Sequence, residues 1–236
     1  MGGMMGSLAD VSAPELGAVA IRAAMAQSGL DNSQIDEVLM GCVLSAGLGQ
    51  APARQAALAA GLAQSTACTT INKVCGSAMK SIMMASNALR AGQASAVVAG
   101  GMESMSRAPY LIPQGRQGYR FGHGQLLDHM QFDGLQDAYQ GVAMGLFAEK
   151  CAGKYTFTRE MQDAYAIESL RRANLAIANG QQALIFGDAA PSNGRFVAKT
   201  VRIKAAEDGA PATLGARTSS RSCEPFALML NTSPPP

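Results

Sequence analysis

Asn72-Lys73-Val74-Cys75-Gly76-Ser77-Ala78-Met79-Lys80 joins two stretches of different period. Upstream, Ala67-Cys68-Thr69-Thr70-Ile71-Asn72 reads as a strand. Downstream, residues 76–91 read as a helix, with Met79, Ile82, Met83 and Leu89 at roughly helical spacing and Gly92 closing it. Cys75 therefore sits at a strand-to-helix junction. There the positive end of the helix dipole and its exposed N–H groups favour thiolate over thiol, and the thiolate is the attacking species in acyl transfer. The same N–H groups are placed to stabilise an oxyanion. Gly76, Ser77 and Ala78 are small and would let a thioester donor come close to the backbone. The plainer reading of Cys75, a small buried hydrophobe, stands beside this one.

Working outward, the same alternation recurs. Ser12-Ala13-Pro14-Glu15 starts a helix with a capping box and a proline in its first turn, and Gly29 stops it after Ser28. Residues 36–44 form a short apolar run that reads as a buried strand. Residues 52–60 read as a helix stopped near Gly61, and residues 94–99 as a strand that ends in Gly100-Gly101. Strands alternating with helices predict an α/β layered fold with a largely parallel sheet, whose sites gather at the carboxyl ends of the strands.

After Arg107 the texture changes. Residues 108–136 are rich in Pro, Gly, Gln and Arg without a sustained period and predict a long excursion. Helices are expected over 141–151 and from Thr158, as cap, to about Asn179, with Glu160 in the first turn and Gly180 as stop. Residues 181–236, ending in Pro234-Pro235-Pro236, are expected to be mostly irregular. The domain expectation is thus 1–107, 108–180 and an atypical tail 181–236.

Composition narrows the chemistry. A net charge of +2 gives no field suited to nucleic acid or an acidic membrane, and no apolar stretch reaches the length of a bilayer span. No secretion signal opens the chain, so a cytoplasmic location is expected by default. The five cysteines (Cys42, Cys68, Cys75, Cys151 and Cys223) contain no CxxC pair, so neither a disulfide framework nor a metal site is expected. Met79, Met83 and Met84 read as core filler. His123 and His129 read as surface or structural histidines.

Asn72 to Lys80, followed by Gly100-Gly101-Met102-Glu103-Ser104-Met105-Ser106, closely resembles the thiolase family. The likeness extends back through Gly6-Ser7-Leu8. It runs forward through Asp133-Gly134-Leu135, Met144-Gly145, Ala148-Glu149 and Arg159 to Ala164, covering about residues 4 to 180. The resemblance implies an α/β, thiolase-like N-terminal half with a mixed, largely parallel sheet between helices, plus an inserted loop domain. It makes Cys75 the nucleophile of an acetyl-CoA C-acetyltransferase that forms or cleaves acetoacetyl-CoA through a cysteine acyl-thioester. Coenzyme A thioesters are then substrates, no cofactor is permanently bound, and a homo-oligomer (dimer or tetramer) is expected. Glu103 resembles a family position but is not assigned acid–base work. Ketoacyl synthases share fold and nucleophile, yet the segment from Gly100 to Ser106 argues against them.

The departures from the family are specific. No Gly-His-Pro segment and no Cys-x-Gly-Gly-Gly segment occurs, and Cys223 is followed by Glu224-Pro225. Loss of a general base costs about 10² to 10⁴ in α-proton abstraction. Short-chain members often carry His-Met where Ala143-Met144 stands, which leaves Met144 as the candidate contact to the pantetheine arm, against ordinary core packing. The family's first strand is expected to be missing ahead of Gly6, and the tail after Gly180 departs from the family pattern, as a reading-frame change or degraded gene would make it. An intact second half in another frame of the same locus would support that origin. A broader-chain 3-ketoacyl-CoA thiolase of fatty-acid degradation and a catalytically incomplete thiolase fragment are the alternative readings.

Overall fold

The computed structural model describes residues 4–178 and 226–230. It divides into two units, Met1–Pro109 with Leu184–Pro236, and Tyr110–Ala183.

In the first unit the chain begins with helix α1, Ala13–Ser28. Ser12 is its N-cap and both arms of the capping box are made, with the Glu15 carboxylate accepting from the Ser12 backbone N–H at 2.8 Å. Gly29 closes α1 in the left-handed conformation at φ 74°. Strand β1, Glu37–Gly41, is followed by helix α2, Pro52–Ala59, and strand β2, Ala67–Ile71. Helix α3, Ser77–Arg90, leads to strand β3, Ala96–Gly101. All six elements fall where the sequence periodicity predicts them.

β1 lies between β2 and β3 and runs parallel to both. Its Glu37 stands opposite Ala67 and Val97, and its Gly41 opposite Ile71 and Gly101. Asp36 sets this register, because its carboxylate accepts the backbone N–H groups of Ser95 and Ala96 at the start of β3. Two faces of the sheet are covered, as parallel sheets require. Val38 and Met40 of β1, with Ala96 and Val98 of β3, pack with α1 and α2 through Ile21, Ala24, Ala53, Ala56 and Ala57. Their neighbours in sequence, Leu39, Val97 and Ala99, point the other way and pack with Ala85 and Leu89 of α3.

The buried stripe of α3 differs from the expected one. Ser77, Ser81, Ala85 and Leu89 are its buried residues, while Met79 and Met83 are 53% and 54% exposed. The stripe follows strict four-residue spacing, and its first three members are small because this helix lies close against the strands. Met79 and Met83 are therefore not core residues, whereas Met84 and Ile82 do pack partly against the core.

Within 181–236, expected to be irregular, residues Phe226–Leu230 form a strand (β6, in the numbering below). It pairs antiparallel with β3, Ala96 opposite Leu230 and Gly100 opposite Phe226, and makes the sheet mixed with order β2-β1-β3-β6. Gly180, Cys223 and the remainder of that segment lie outside the described residues.

The second unit holds the two-residue strands β4, Tyr110–Leu111, and β5, Leu127–Asp128, paired antiparallel. A π-helical turn, Met130–Leu135, follows, then α4, Met144–Lys154, and α5, Arg159–Ala178. The ribbon β4–β5 lies inside the segment read as an excursion, and its strands are too short to leave a period in the sequence. α4 starts three residues later than expected, with Ala143 as N-cap. The Thr158 hydroxyl accepts from the Met161 N–H at 3.3 Å, as a cap does. No helix among the described residues is long and apolar enough to cross a membrane.

The capping box carries a first prediction. Ser12→Ala is expected to cost about 1 kcal/mol. The Glu15 carboxyl is held below the ordinary glutamate range, first by the Ser12 hydroxyl and next by the Ser12 N–H. A depressed carboxyl contributes its stability above the unfolded value of about 4.3 and loses it as pH falls through the folded value. Thermal unfolding should therefore separate wild type from Glu15→Gln at neutral pH and bring the two together in acid. A gap that persists unchanged in acid would dissociate Glu15 from the cap.

Candidate active site

The loop between β2 and α3 is built from its own polar groups. The Asn72 side-chain carbonyl accepts the Val74 N–H at 3.0 Å. The Ser77 hydroxyl accepts the Lys73 N–H at 2.9 Å and donates to the Val74 carbonyl at 2.6 Å. Val74 also accepts the Ser77 N–H at 3.1 Å, and Lys73 accepts the Gly76 N–H at 3.0 Å. Held this way, Val74 adopts φ 47°. A left-handed conformation costs an L-residue about 1–2 kcal/mol. Hydrogen bonds worth about 1 kcal/mol apiece offset it.

Cys75 follows Val74 and is exposed. It stands one residue ahead of Gly76, the N-cap, so the helix proper opens two residues later, at Ser77. This geometry corrects two expectations. The N–H groups of Gly76 and Ser77 close the turn onto Lys73 and Val74, so they are not the oxyanion donors proposed from sequence. The small size of Ser77 and Ala78 serves the sheet rather than a ligand. A Cβ on Gly41 would lie 2.6 Å from the Ala78 nitrogen and 2.7 Å from the Ser77 carbonyl carbon; one on Gly101 would lie 2.7 Å from the Ala78 Cβ. Two strand-end glycines thus let the mouth of α3 rest directly on β1 and β3.

The strand ends beneath the loop are tied together as well. The Cys42 N–H donates to the Ile71 carbonyl at 3.0 Å and the Met102 N–H to the Gly41 carbonyl at 2.9 Å. Glu103 accepts the backbone N–H groups of Val43 at 2.8 Å and Leu44 at 3.1 Å. Its carboxylate therefore fastens the segment leaving β1 to the segment leaving β3. This is a buttressing position.

Other sequence candidates fall elsewhere. Met144 is the first residue of α4 in the second unit and is 52% exposed, so it is not a core residue. Ala143, its N-cap, makes no side-chain cap bond. His129 is the one buried residue among those described in that unit. Its Nδ1 lies 2.6 Å from an oxygen of Asp133. His123 is exposed. No group of three or more potential metal ligands occurs among the described residues.

Among the described cysteines, Cys75 and Cys151 are exposed, Cys42 is buried, and Cys68 is half-buried. Burial pushes the Cys68 thiol up, against a smaller opposing pull from Arg54. The hydrogen-bonding part that the Ser77 hydroxyl takes in this loop was not read from the sequence. Its one signal was a hydroxyl two positions after a cysteine at a helix start, a pattern that also reads as simple capping.

The sequence matches the thiolase N-terminal domain family over residues 1–198. It is 51% identical over 181 residues to an acetyl-CoA acetyltransferase of Pseudomonas aeruginosa, covering 77% of this chain and 46% of that enzyme. With an acetyl-CoA acetyltransferase of Escherichia coli the identity is 52% over 181 residues, 76% of this chain and 46% of the relative. The fold resembles the Acat5 thiolase of Ascaris suum, crystallised in complex with coenzyme A. The TM-score is 0.69 at 48% identity, covering 73% of this chain and 45% of that one. The chain therefore spans under half the length of these relatives. Its strand–loop–helix junction around Cys75 lies within the matched family domain, and on this evidence the chain belongs to the thiolase family.

Proposed function

We propose that this chain carries the acyl-acceptor step of a thiolase-type acetyl-CoA C-acetyltransferase, with Cys75 as nucleophile. The observation that carries the reading is an exposed cysteine on a hydrogen-bonded loop at the mouth of α3, in a chain about half identical to acetyl-CoA acetyltransferases. The Cys75 sulfur attacks the thioester carbonyl carbon of acetyl-CoA. The carbon–sulfur bond to coenzyme A then breaks, coenzyme A leaves as its thiolate and takes up a proton, and the acetyl group remains on Cys75. In the second half-reaction the α-carbon of another acetyl-CoA, having lost a proton, takes that acetyl group to form acetoacetyl-CoA and frees the Cys75 sulfur. In the reverse direction Cys75 takes the acetyl group from the 3-keto carbon of acetoacetyl-CoA, acetyl-CoA leaves and takes up a proton, and coenzyme A then takes the acetyl group from Cys75 as a second acetyl-CoA. Deprotonation of the α-carbon is assigned to no residue of this sequence, which has neither the Gly-His-Pro nor the Cys-x-Gly-Gly-Gly segment. A chain that is acylated without turning over is the form that the incomplete-fragment reading takes.

Iodoacetamide at neutral pH tests the assignment. It is expected to label both exposed thiols, Cys75 and Cys151, ahead of Cys68 and Cys42, and acetyl-CoA is expected to protect Cys75 alone. Equal labelling of Cys75 with and without acetyl-CoA would overturn the nucleophile assignment.

A second substrate reading has one observation behind it. Ala143 precedes Met144 where short-chain thiolases often have histidine, which favours a broader-chain 3-ketoacyl-CoA thiolase of fatty-acid degradation. Acylation rates across a series of acyl-CoA chain lengths separate the two, and Met144→Ala tests whether that side chain touches the pantetheine arm. A homo-oligomer, dimer or tetramer, and a cytoplasmic location complete the proposal. Gel filtration reads the first.

A further inference from the structure

We propose that Ser77 is a positioning residue for acyl transfer: its hydroxyl latches Val74 in a left-handed backbone and thereby presents the Cys75 thiol at the mouth of α3. This rests on the acyl-acceptor reading of Cys75 and adds the element that sets its geometry.

Ser77 is 5% exposed, and its hydroxyl is used twice within the loop. It takes the Lys73 N–H at 2.9 Å and gives its proton to the Val74 carbonyl at 2.6 Å, bracketing Lys73 and Val74, the two residues that precede Cys75. Val74 is β-branched and stands at φ 47°, a conformation such residues adopt only when their surroundings impose it. The bracket runs from the Asn72–Lys73 peptide to the Val74–Cys75 peptide and so pins both ends of the Lys73–Val74 segment, while the Asn72 side chain holds the Val74 N–H between them. Without it, relaxation of Val74 to negative φ would turn the next peptide and swing Cys75 away from the helix mouth. The base of the latch is fixed in turn. Ser77 sits on the strand ends at Gly41, and its carbonyl accepts the Ser81 hydroxyl at 3.0 Å.

Three proteins test this, each as the full chain: wild type, Ser77→Ala, and Ser77→Ala combined with Val74→Gly. Glycine adopts positive φ without the side-chain clash, so it supplies the loop conformation when the latch is gone. Two readouts are used. Acetyl transfer from acetyl-CoA to Cys75, followed by intact mass, reads positioning; tryptic cleavage after the exposed Lys73 reads loop opening. Ser77→Ala is expected to slow acetyl transfer about tenfold, in line with the sensitivity of oriented reactions to small displacements. It is expected to speed cleavage after Lys73 by a similar factor, and Val74→Gly to recover most of both.

If cleavage is unchanged in Ser77→Ala, the latch is overturned. If cleavage rises while acetyl transfer holds, the positioning role is overturned. If both change but Val74→Gly recovers neither, Ser77 serves only the packing of α3 and the proposal fails. A wild-type chain that takes no acetyl group sinks the acyl-acceptor reading, and with it the positioning role. The cleavage readout then reports on the loop alone.

Discussion

Cys75→Ala is expected to abolish acetyl-enzyme formation, with acetyl transfer from acetyl-CoA reduced about 10³-fold or more, and to leave the fold in place. The kinetic effect is large because the covalent route is lost: with no sulfur at position 75, the loop has no thiol to accept the acyl carbon. The structural effect is small because Cys75 is exposed. The bonds that shape the loop run between Asn72, Lys73, Val74, Gly76 and Ser77 and leave the Cys75 side chain out. Surface changes of this kind stay within about 0.5 kcal/mol. Intact mass after incubation with acetyl-CoA checks the first part, and urea unfolding the second. An acetyl adduct forming on Cys75→Ala at the wild-type rate would move the acceptor elsewhere, and Cys151, the other exposed thiol described, would then be tested first.

How much of this was legible in the sequence depends on whether the signal was local. Ser12, Glu15 and Gly29 announce α1 because caps are settled within a few residues. Residues 36–44 read as a buried strand and residues 94–99 as a strand, where β1 and β3 form, because a two-sided core demands continuous apolar runs. The position of Cys75 between β2 and α3 followed from the same change of period. What failed to show was decided at a distance. Nothing in Ser77, Ser81 and Ala85 marks them as the buried face of α3; Met79 and Met83 look far more apolar, yet half of each is exposed. The small residues are inside because two glycines on separate strands bring the helix close. A left-handed Val74 was equally hidden, since valine is among the least suited residues for that conformation and the hydrogen bonds of the loop, those of the Ser77 hydroxyl among them, account for it. β6 arises from pairing with the β3 backbone. A five-residue apolar run amid Pro, Ser and Thr gave no local reason to expect that partner.

Those two glycines carry the largest stability effects. Gly41→Ala is expected to destabilise the chain by about 3 kcal/mol, the upper part of the range for overpacking a well-filled site. The added methyl would stand 2.6 Å from the Ala78 nitrogen and 2.7 Å from both the carbonyl carbon and the Cβ of Ser77. Two of those three atoms are backbone, so no rotamer change relieves the contact and α3 itself must lift from β1. Lifting it moves Ser77, and with it the loop that carries Cys75, so acetyl transfer should fall together with the urea midpoint. Gly101→Ala is expected to be milder, because its nearest obstacle is the Ala78 Cβ at 2.7 Å and the next atom, the Gly41 carbonyl oxygen, lies at 3.4 Å. Pairing each change with Ala78→Gly separates the two cases. Removing that methyl should restore much of what Gly101→Ala loses and little of what Gly41→Ala loses. Equal rescue of both would mean that α3 can shift as a body against the sheet, and that the close seat at Gly41 does not fix the loop that carries Cys75.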